Sequence, residues 1–161
     1  MKNYKDFTLT EYLDALAKRE PVPGGGSAAA LTGALGAGLI SMVAQYSLAK
    51  GKSASIERKI HGILSQSERI RGRFLHLVDM DAEAYLQVVK ARKEGEYEKK
   101  LALKAASKVP REVCCLAYEA VNLMPFLVEN GNSYLLSDLD IALDMLQAAY
   151  NAGKINIRVN V

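Results

Sequence analysis

The chain has no tryptophan, three phenylalanines, two histidines and two cysteines in 161 residues. The scarcity of each excludes something. Cys114 and Cys115 are adjacent within a helical pattern, where successive side chains diverge by about 100 degrees, so a mutual disulfide is not expected. Unpaired thiols fit a reducing compartment. The histidines, His61 and His76, stand 15 residues apart with no cysteine or carboxylate at ligand spacing, so no metal site is expected. A surplus of one charge is also missing. The formal net charge of +3 is small and evenly spread, which argues against a nucleic-acid partner and merely permits an anionic small molecule. The first 20 residues carry Asp6, Glu11, Asp14 and Glu20 and no apolar h-region, so no signal peptide is visible. These points together predict a cytoplasmic protein. Internal repeats and low-complexity tracts are absent too. At this length a single domain over residues 1–161 is expected.

What the chain does have is Pro23-Gly24-Gly25-Gly26-Ser27-Ala28-Ala29-Ala30, running into a segment without charge from Pro21 to Ala49. Consecutive glycines disfavour helix, because glycine loses the most backbone freedom on ordering. The spacing therefore predicts a side-chain-free loop abutting a helix of about Ser27–Ala49, with Ser27 as its cap. Unpaired N–H groups at such a terminus face whatever occupies the loop. Those 29 uncharged residues also raise a membrane question. The two prolines, six glycines, Gln45, Tyr46 and four hydroxyl residues favour instead a helix buried at the centre of a bundle. The small residues Gly33, Gly36, Ala37 and Gly38 allow close helix approach, with a symmetry-related copy as a candidate partner.

The rest reads as helices. Thr8 and Glu11 form a capping-box pattern opening a helix over Leu9–Arg19, whose apolar face is Leu9, Tyr12, Leu13 and Leu16. The longest helix spans Ser55–Lys93. Its apolar seam alternates steps of four and three through Ile56, Ile60, Ile63, Ile70, Phe74, Leu77, Ala84 and Val88, with polar interruptions at Ser67 and Asp81. Lys90–Lys100 reads as a solvated turn, followed by a helix over Tyr97–Lys108. Pro110 then opens a helix to about Glu129, with a kink expected at Pro125. Asn130-Gly131-Asn132 is a stop signal. Ser137 is the expected cap of a last helix, Asp138–Asn151, closed by Gly153. From Ile155 to Val161 apolar and polar residues alternate as in a strand, but no second strand exists for it to pair with.

Asp81 is the sharpest candidate for chemistry. An ionised carboxylate on a packed seam is costly unless paired. In a cleft the same cost raises its pKa towards a range useful for proton transfer. Asp138 sits in a first helical turn, which the helix dipole alone favours. The glycine loop is neither a P-loop nor a dinucleotide fingerprint. Ser27 lacks a histidine partner at motif spacing and is a cap and ligand donor, not a nucleophile. Asn132, Asn156 and Asn160 can serve a heterocycle, or equally a turn or a solvent-facing edge.

With these residues in hand, the chain resembles the formiminotransferase-cyclodeaminase C-terminal domain family, which includes bacterial methenyltetrahydrofolate cyclohydrolases. The matching pieces run in family order: residues 23–30, Gly-Ala-Leu-Gly-Ala at 33–37 with Met42-Val43, Gly51-Lys52 and Asp81-Ala82-Glu83-Ala84-Tyr85. Then come Val109-Pro110, Gly131-Asn132, Ser137-Asp138-Leu139 and Asn156-Ile157-Arg158-Val159-Asn160. The resemblance implies an all-α, mostly antiparallel helical bundle with one long central helix, assembled as a homodimer. It turns the tail from strand into helix or helix-flanking chain. It implies a tetrahydrofolate derivative as substrate, with no tightly bound cofactor, metal, nucleic acid or membrane. Asp81 and Asp138 fall on the family's recurring acids and become the expected catalytic pair. Pro23, Gly24, Gly25, Gly26, Ser27, Asn132 and Asn156 become the expected substrate contacts. Family members usually continue for a few tens of residues into a further helix, whereas this chain stops at Val161.

The reaction so implied is cyclising deamination. N10 of 5-formimidoyltetrahydrofolate attacks the formimidoyl carbon, ammonia leaves and 5,10-methenyltetrahydrofolate forms. Two carboxylates in different environments can divide the base and acid duties. The first alternative is a methenyltetrahydrofolate cyclohydrolase, with water as nucleophile. The second is a folate-binding or purely structural helical dimer without turnover.

Overall fold

The computed structural model describes residues 3–48 and 52–159; Asn160 and Gly51 lie outside them. Every regular element among the described residues is helical. A 3-10 turn, Tyr4–Asp6, precedes α1 (Leu9–Ala17), α2 (Gly25–Ser47), α3 (Ala54–Ala91), α4 (Glu96–Ala106), α5 (Lys108–Val121), α6 (Met124–Asn130) and α7 (Leu136–Val159). A second 3-10 turn, Ser133–Leu135, leads into α7.

The fold is organised around α2, which packs on α3 and α7, while α5 closes against α7 and α3. As the uncharged segment predicts, α2 has the length and hydropathy of a membrane span, yet it forms the core: Ala30, Ala37, Ile40, Val43 and Ala44 are fully buried. Its glycines are notches. A Cβ on Gly33 would lie 2.6 Å from Cζ of Phe74 on α3, and one on Gly36 would lie 2.9 Å from Cγ of Leu146 on α7. The close approaches predicted for a second copy are thus used, at Gly33 and Gly36, within the chain itself.

The seam of α3 is borne out, with Ile60, Ile63, Ser67, Ile70, Phe74, Leu77 and Val88 all buried. It meets α2 antiparallel in a heptad register. Gly26 faces Asp81, seven residues on Gly33 faces Phe74, and eight further along α2 Ser41 meets Ser67, seven before Phe74 on α3. The Ser41 and Ser67 hydroxyls bond at 2.8 Å, and Ser67 also donates to the carbonyl of Leu64, so this first polar interruption is satisfied.

Several boundaries differ from expectation. Helix α2 starts at Gly25 with Gly24 as N-cap and no side-chain cap, so Gly25, Gly26 and Ser27 form its first turn. Packing against α3 outweighs the glycine propensity there. The capping box of α1 is present, but Leu9 and Leu13 are exposed and only Tyr12 of its apolar face is buried. No kinked helix runs through Pro125; α5 ends at Val121, and Pro125 opens α6 within its first two positions, where its missing N–H costs nothing. Ser137 is no cap, because α7 begins at Leu136 directly after the 3-10 turn. Nor does Gly153 end that helix. A Cβ there would meet Sγ of Cys114 at 2.7 Å, so this glycine serves α5–α7 contact, and α7 runs on through the alternating tail to Val159.

Candidate active site

At the N-terminal end of α2 a cleft of about 380 Å³ opens, within the range of small-molecule sites. Pro21, Val22, Gly24, Gly25 and Gly26 form one wall. Asp81, Ala84, Tyr85, Val88 and Arg92 form a second from the last turns of α3. Leu103 and Ala106 of α4, with Asn156 and Val159 of α7, close it.

Asp81 faces Gly26 so closely that a Cβ on Gly26 would put all three of its carboxyl atoms within 2.6 Å. Glycine is required here by close approach, not by backbone angles. The backbone N–H of Ser27 donates to the Asp81 carboxylate, so an acid from α3 caps the first turn of α2 from outside. Burial dominates the proton affinity. Removal from water raises the Asp81 pKa, and the Ser27 N–H pulls it back only in part. A second acid in this part of α3, Asp79, points away. It is buried and accepts the backbone N–H of Lys5 at 3.3 Å, tying the N-terminal turn to α3.

Ser27 is fully buried, and its hydroxyl bonds the Tyr12 hydroxyl at 3.0 Å. Its side chain is therefore committed to α1, and its amide to Asp81. Of the expected substrate contacts, Gly24, Gly25, Gly26 and Asn156 line the cleft together with Asp81, whereas Pro23 is buried behind the wall. The helical tail explains Asn156. In a strand Asn156 and Val159 would point to opposite faces, whereas three residues apart on α7 they share one.

Asn132 and Asp138 are elsewhere. The Asn132 backbone N–H donates to the Ser47 hydroxyl at 2.9 Å, at the opposite end of α2, and its side chain caps the 3-10 turn by accepting from Tyr134 N. Asp138 lies in the first turn of α7, about 27 Å along the axis from Asn156 at 1.5 Å per residue. The two acids are therefore not brought together within one chain. Tyr85 and Arg92 escaped the reading of the sequence. The signal was there: four and eleven residues after Asp81, both fall on its helical face.

The histidines are both exposed, and no group of three metal-ligating side chains occurs among the described residues. The arrangement offers one carboxyl with raised proton affinity, bare glycine backbone at a helix N-terminus, and an amide.

Comparison with known proteins places the chain in a family. Residues 8–161 match the formiminotransferase-cyclodeaminase family. The methenyltetrahydrofolate cyclohydrolase of Methylorubrum extorquens is 34% identical over 163 residues, covering 95% of this chain and 78% of that protein. The formimidoyltransferase-cyclodeaminase of Gallus gallus is 29% identical over 166 residues, covering 95% of this chain but only 30% of the longer bird protein. The crystal structure of formiminotetrahydrofolate cyclodeaminase from Thermotoga maritima superposes with a TM-score of 0.93 at 33% identity, covering 97% of this chain and 79% of that one. The chain belongs to the formiminotransferase-cyclodeaminase family.

Proposed function

We propose that this protein is a folate one-carbon enzyme that hydrolyses 5,10-methenyltetrahydrofolate to 10-formyltetrahydrofolate. The observation that carries it is the Asp81 carboxyl, desolvated and aimed at side-chain-free backbone in a ligand-sized cleft. The Methylorubrum cyclohydrolase, matched over most of its length, supports hydrolysis as the first reading. Cyclising deamination of 5-formimidoyltetrahydrofolate is the second, supported by the likeness to the Thermotoga cyclodeaminase.

Both reactions ask the same service of the protein. A nucleophile, water or N10–H, attacks the bridging or formimidoyl carbon and loses a proton. A leaving nitrogen, N5 or ammonia, gains one. Asp81 accepts the first proton in its ionised form. A carboxyl whose pKa is raised also holds that proton long enough to return it to the leaving nitrogen. In hydrolysis the remaining proton of the attacking water is released as the formyl group forms. Gly25 and Gly26 admit the substrate to the backbone at the α2 terminus, and Asn156 offers its amide to the pterin edge.

A homodimer is part of this proposal. The outer face of α2 leaves an apolar strip of Leu31, Leu35, Gly38, Leu39 and Met42 beside Leu75 and Met145, with Leu35 51% exposed. The strip is centred on the middle of α2. A twofold axis there with antiparallel α2 helices turns the Asn132 and Asp138 end of one chain towards the Asp81 cleft of the other. Return of the proton then falls either to Asp81 itself or to the partner's Asp138.

The test is to supply purified protein with each substrate and follow the methenyl chromophore. Loss of the chromophore supports hydrolysis, and its appearance from the formimidoyl substrate supports deamination. A folded protein that turns over neither refutes the enzyme reading. Tight binding of a reduced folate without turnover would then leave a non-catalytic folate-binding dimer.

A further inference from the structure

The cleft is longer than the chemistry needs. From Asp81 the lining of α3 continues through Tyr85 and Val88 to Arg92. These positions lie at steps of four, three and four, so they form one stripe down the helix face. Eleven residues carry the stripe about 16 Å from Asp81 at 1.5 Å per residue. Its character changes along the way. It begins with an acid, passes an aromatic ring, becomes aliphatic where Val88 lies with Leu103 and Ala106, and ends on a guanidinium.

Arg92 is not accounted for by the fold. It stands at the C-terminal end of α3, where any cation is mildly favoured by the helix dipole. Yet it lines the cleft, and none of the ion pairs among the described residues engages it. Further back along α3, Arg73 is held by Glu112 and Arg69 by Glu119. The surroundings of Arg92 are basic as well. Between Lys90 and Lys108 there are seven lysines and arginines against three glutamates, a surplus of four in a chain whose whole net charge is +3. Arg92 therefore places a cation at one end of the cleft, and the opposite end carries the proton-transferring acid.

We infer that Arg92 is the specificity residue for the tail of the substrate, its guanidinium receiving a carboxylate of the glutamate while the reacting carbon lies at Asp81. The inference rests on the folate reading of the site and adds to it the direction in which the substrate lies. A tetrahydrofolate has the matching polarity. Its reacting nitrogens are followed by a flat aminobenzoyl ring and then by a dicarboxylate. The ring fits the Tyr85 and Val88 stretch, and a planar guanidinium is suited to a carboxylate.

The experiment compares two substrates in wild type and in Arg92→Gln. One is 5,10-methenyltetrahydrofolate; the other is the corresponding methenyltetrahydropteroate, which lacks the glutamate. Turnover and equilibrium binding are both measured. The expected result is a rise in KM and Kd of roughly three- to tenfold for the glutamate-bearing ligand alone, the size of one partly solvated charged hydrogen bond. Arg92→Lys should recover part of the loss. Equal effects on both ligands, or none on either, would overturn the inference. The two readings fail separately. If wild type binds both ligands but converts neither, the enzyme proposal falls, and the binding difference alone decides the role of Arg92. If wild type binds no reduced folate, both fall.

Discussion

Replacing Asp81 by asparagine separates what this side chain does for the reaction from what it does for the fold. Asn keeps the shape and an acceptor oxygen, so the Ser27 N–H retains its partner and the first turn of α2 stays capped. What disappears is the ionisable proton. In the native chain burial raises the Asp81 pKa above its unfolded value. Between those two values the folded protein binds a proton that the unfolded chain does not, so stability falls as pH rises through that window. At neutral pH the ionised carboxyl is therefore a standing cost, and Asn removes it. One retained hydrogen bond and one relieved charge predict a stability change of no more than about 1 kcal/mol, tilted upward. For a domain of this size that is a Tm unchanged or raised by about 2–4 °C. Activity should move the other way. Loss of a positioned general base costs about 10²–10⁴ in rate, or roughly 3–5 kcal/mol of barrier. The assay is the methenyl chromophore for turnover and a thermal melt at pH 7 and at pH 5 for stability. A variant as active as wild type would refute the role given to Asp81. A variant whose activity and Tm fall together would show that the carboxyl is there for the fold alone.

The same raised pKa sets the pH profile: kcat/KM should rise with pH along a single acid limb shifted upward from the position of a free aspartate, and Asp81→Asn should abolish that limb. Gly26→Ala pits a helix-propensity gain of about 1 kcal/mol against an overpacking cost of about 1–3 kcal/mol. The atoms struck belong to the Asp81 side chain, which can swing aside, so the variant should fold with near-native Tm and lose at least tenfold in rate. Native activity in Gly26→Ala would show that the contact is incidental. Leu35→Glu should give a monomer by light scattering if the α2 strip is the dimer face, and an unchanged mass would remove that face from consideration. Mixing inactive Asp81→Asn with inactive Asp138→Asn subunits should restore roughly a quarter of wild-type activity if the site is shared, since half the dimers are mixed and each has one intact site. No restoration would confine catalysis to one chain.

How much was legible follows the physics of each signal. The α3 seam was readable because its periodicity is a long, repeated pattern, and the two positions that broke it, Ser67 and Asp81, are the two whose partners lie on α2. The start of α2 was misread because glycine propensity is a local preference, while the helix there is imposed by α3 packing against it, a contact between residues 55 apart. The tail was misread from its own residues for a similar reason. Seven residues of alternation fit a strand, and only the packing of α7 against α2 and α5 makes it the end of a helix. Placement of the site was half legible. Asp81 and the glycines are joined by one interface, but Asn132 and Asp138 come from motifs whose position relative to it depends on how α7 runs the length of the molecule. Arg92 lay on the stripe but drew no notice, because one cation at the end of a helix is unremarkable until a cleft is seen beside it.

The heptad register between α2 and α3 makes the hydrophobic interior a gauge for the reaction. The Phe74 ring seated in the Gly33 notch is a detent two turns from the place where Asp81 meets Gly26. A residue inserted or deleted between those two points would rotate the acid away from its slot while leaving most of the oily contacts available to re-form. Loss of function would then precede loss of folding, so drift at Phe74 or Gly33, far from any substrate atom, is felt first as slow turnover.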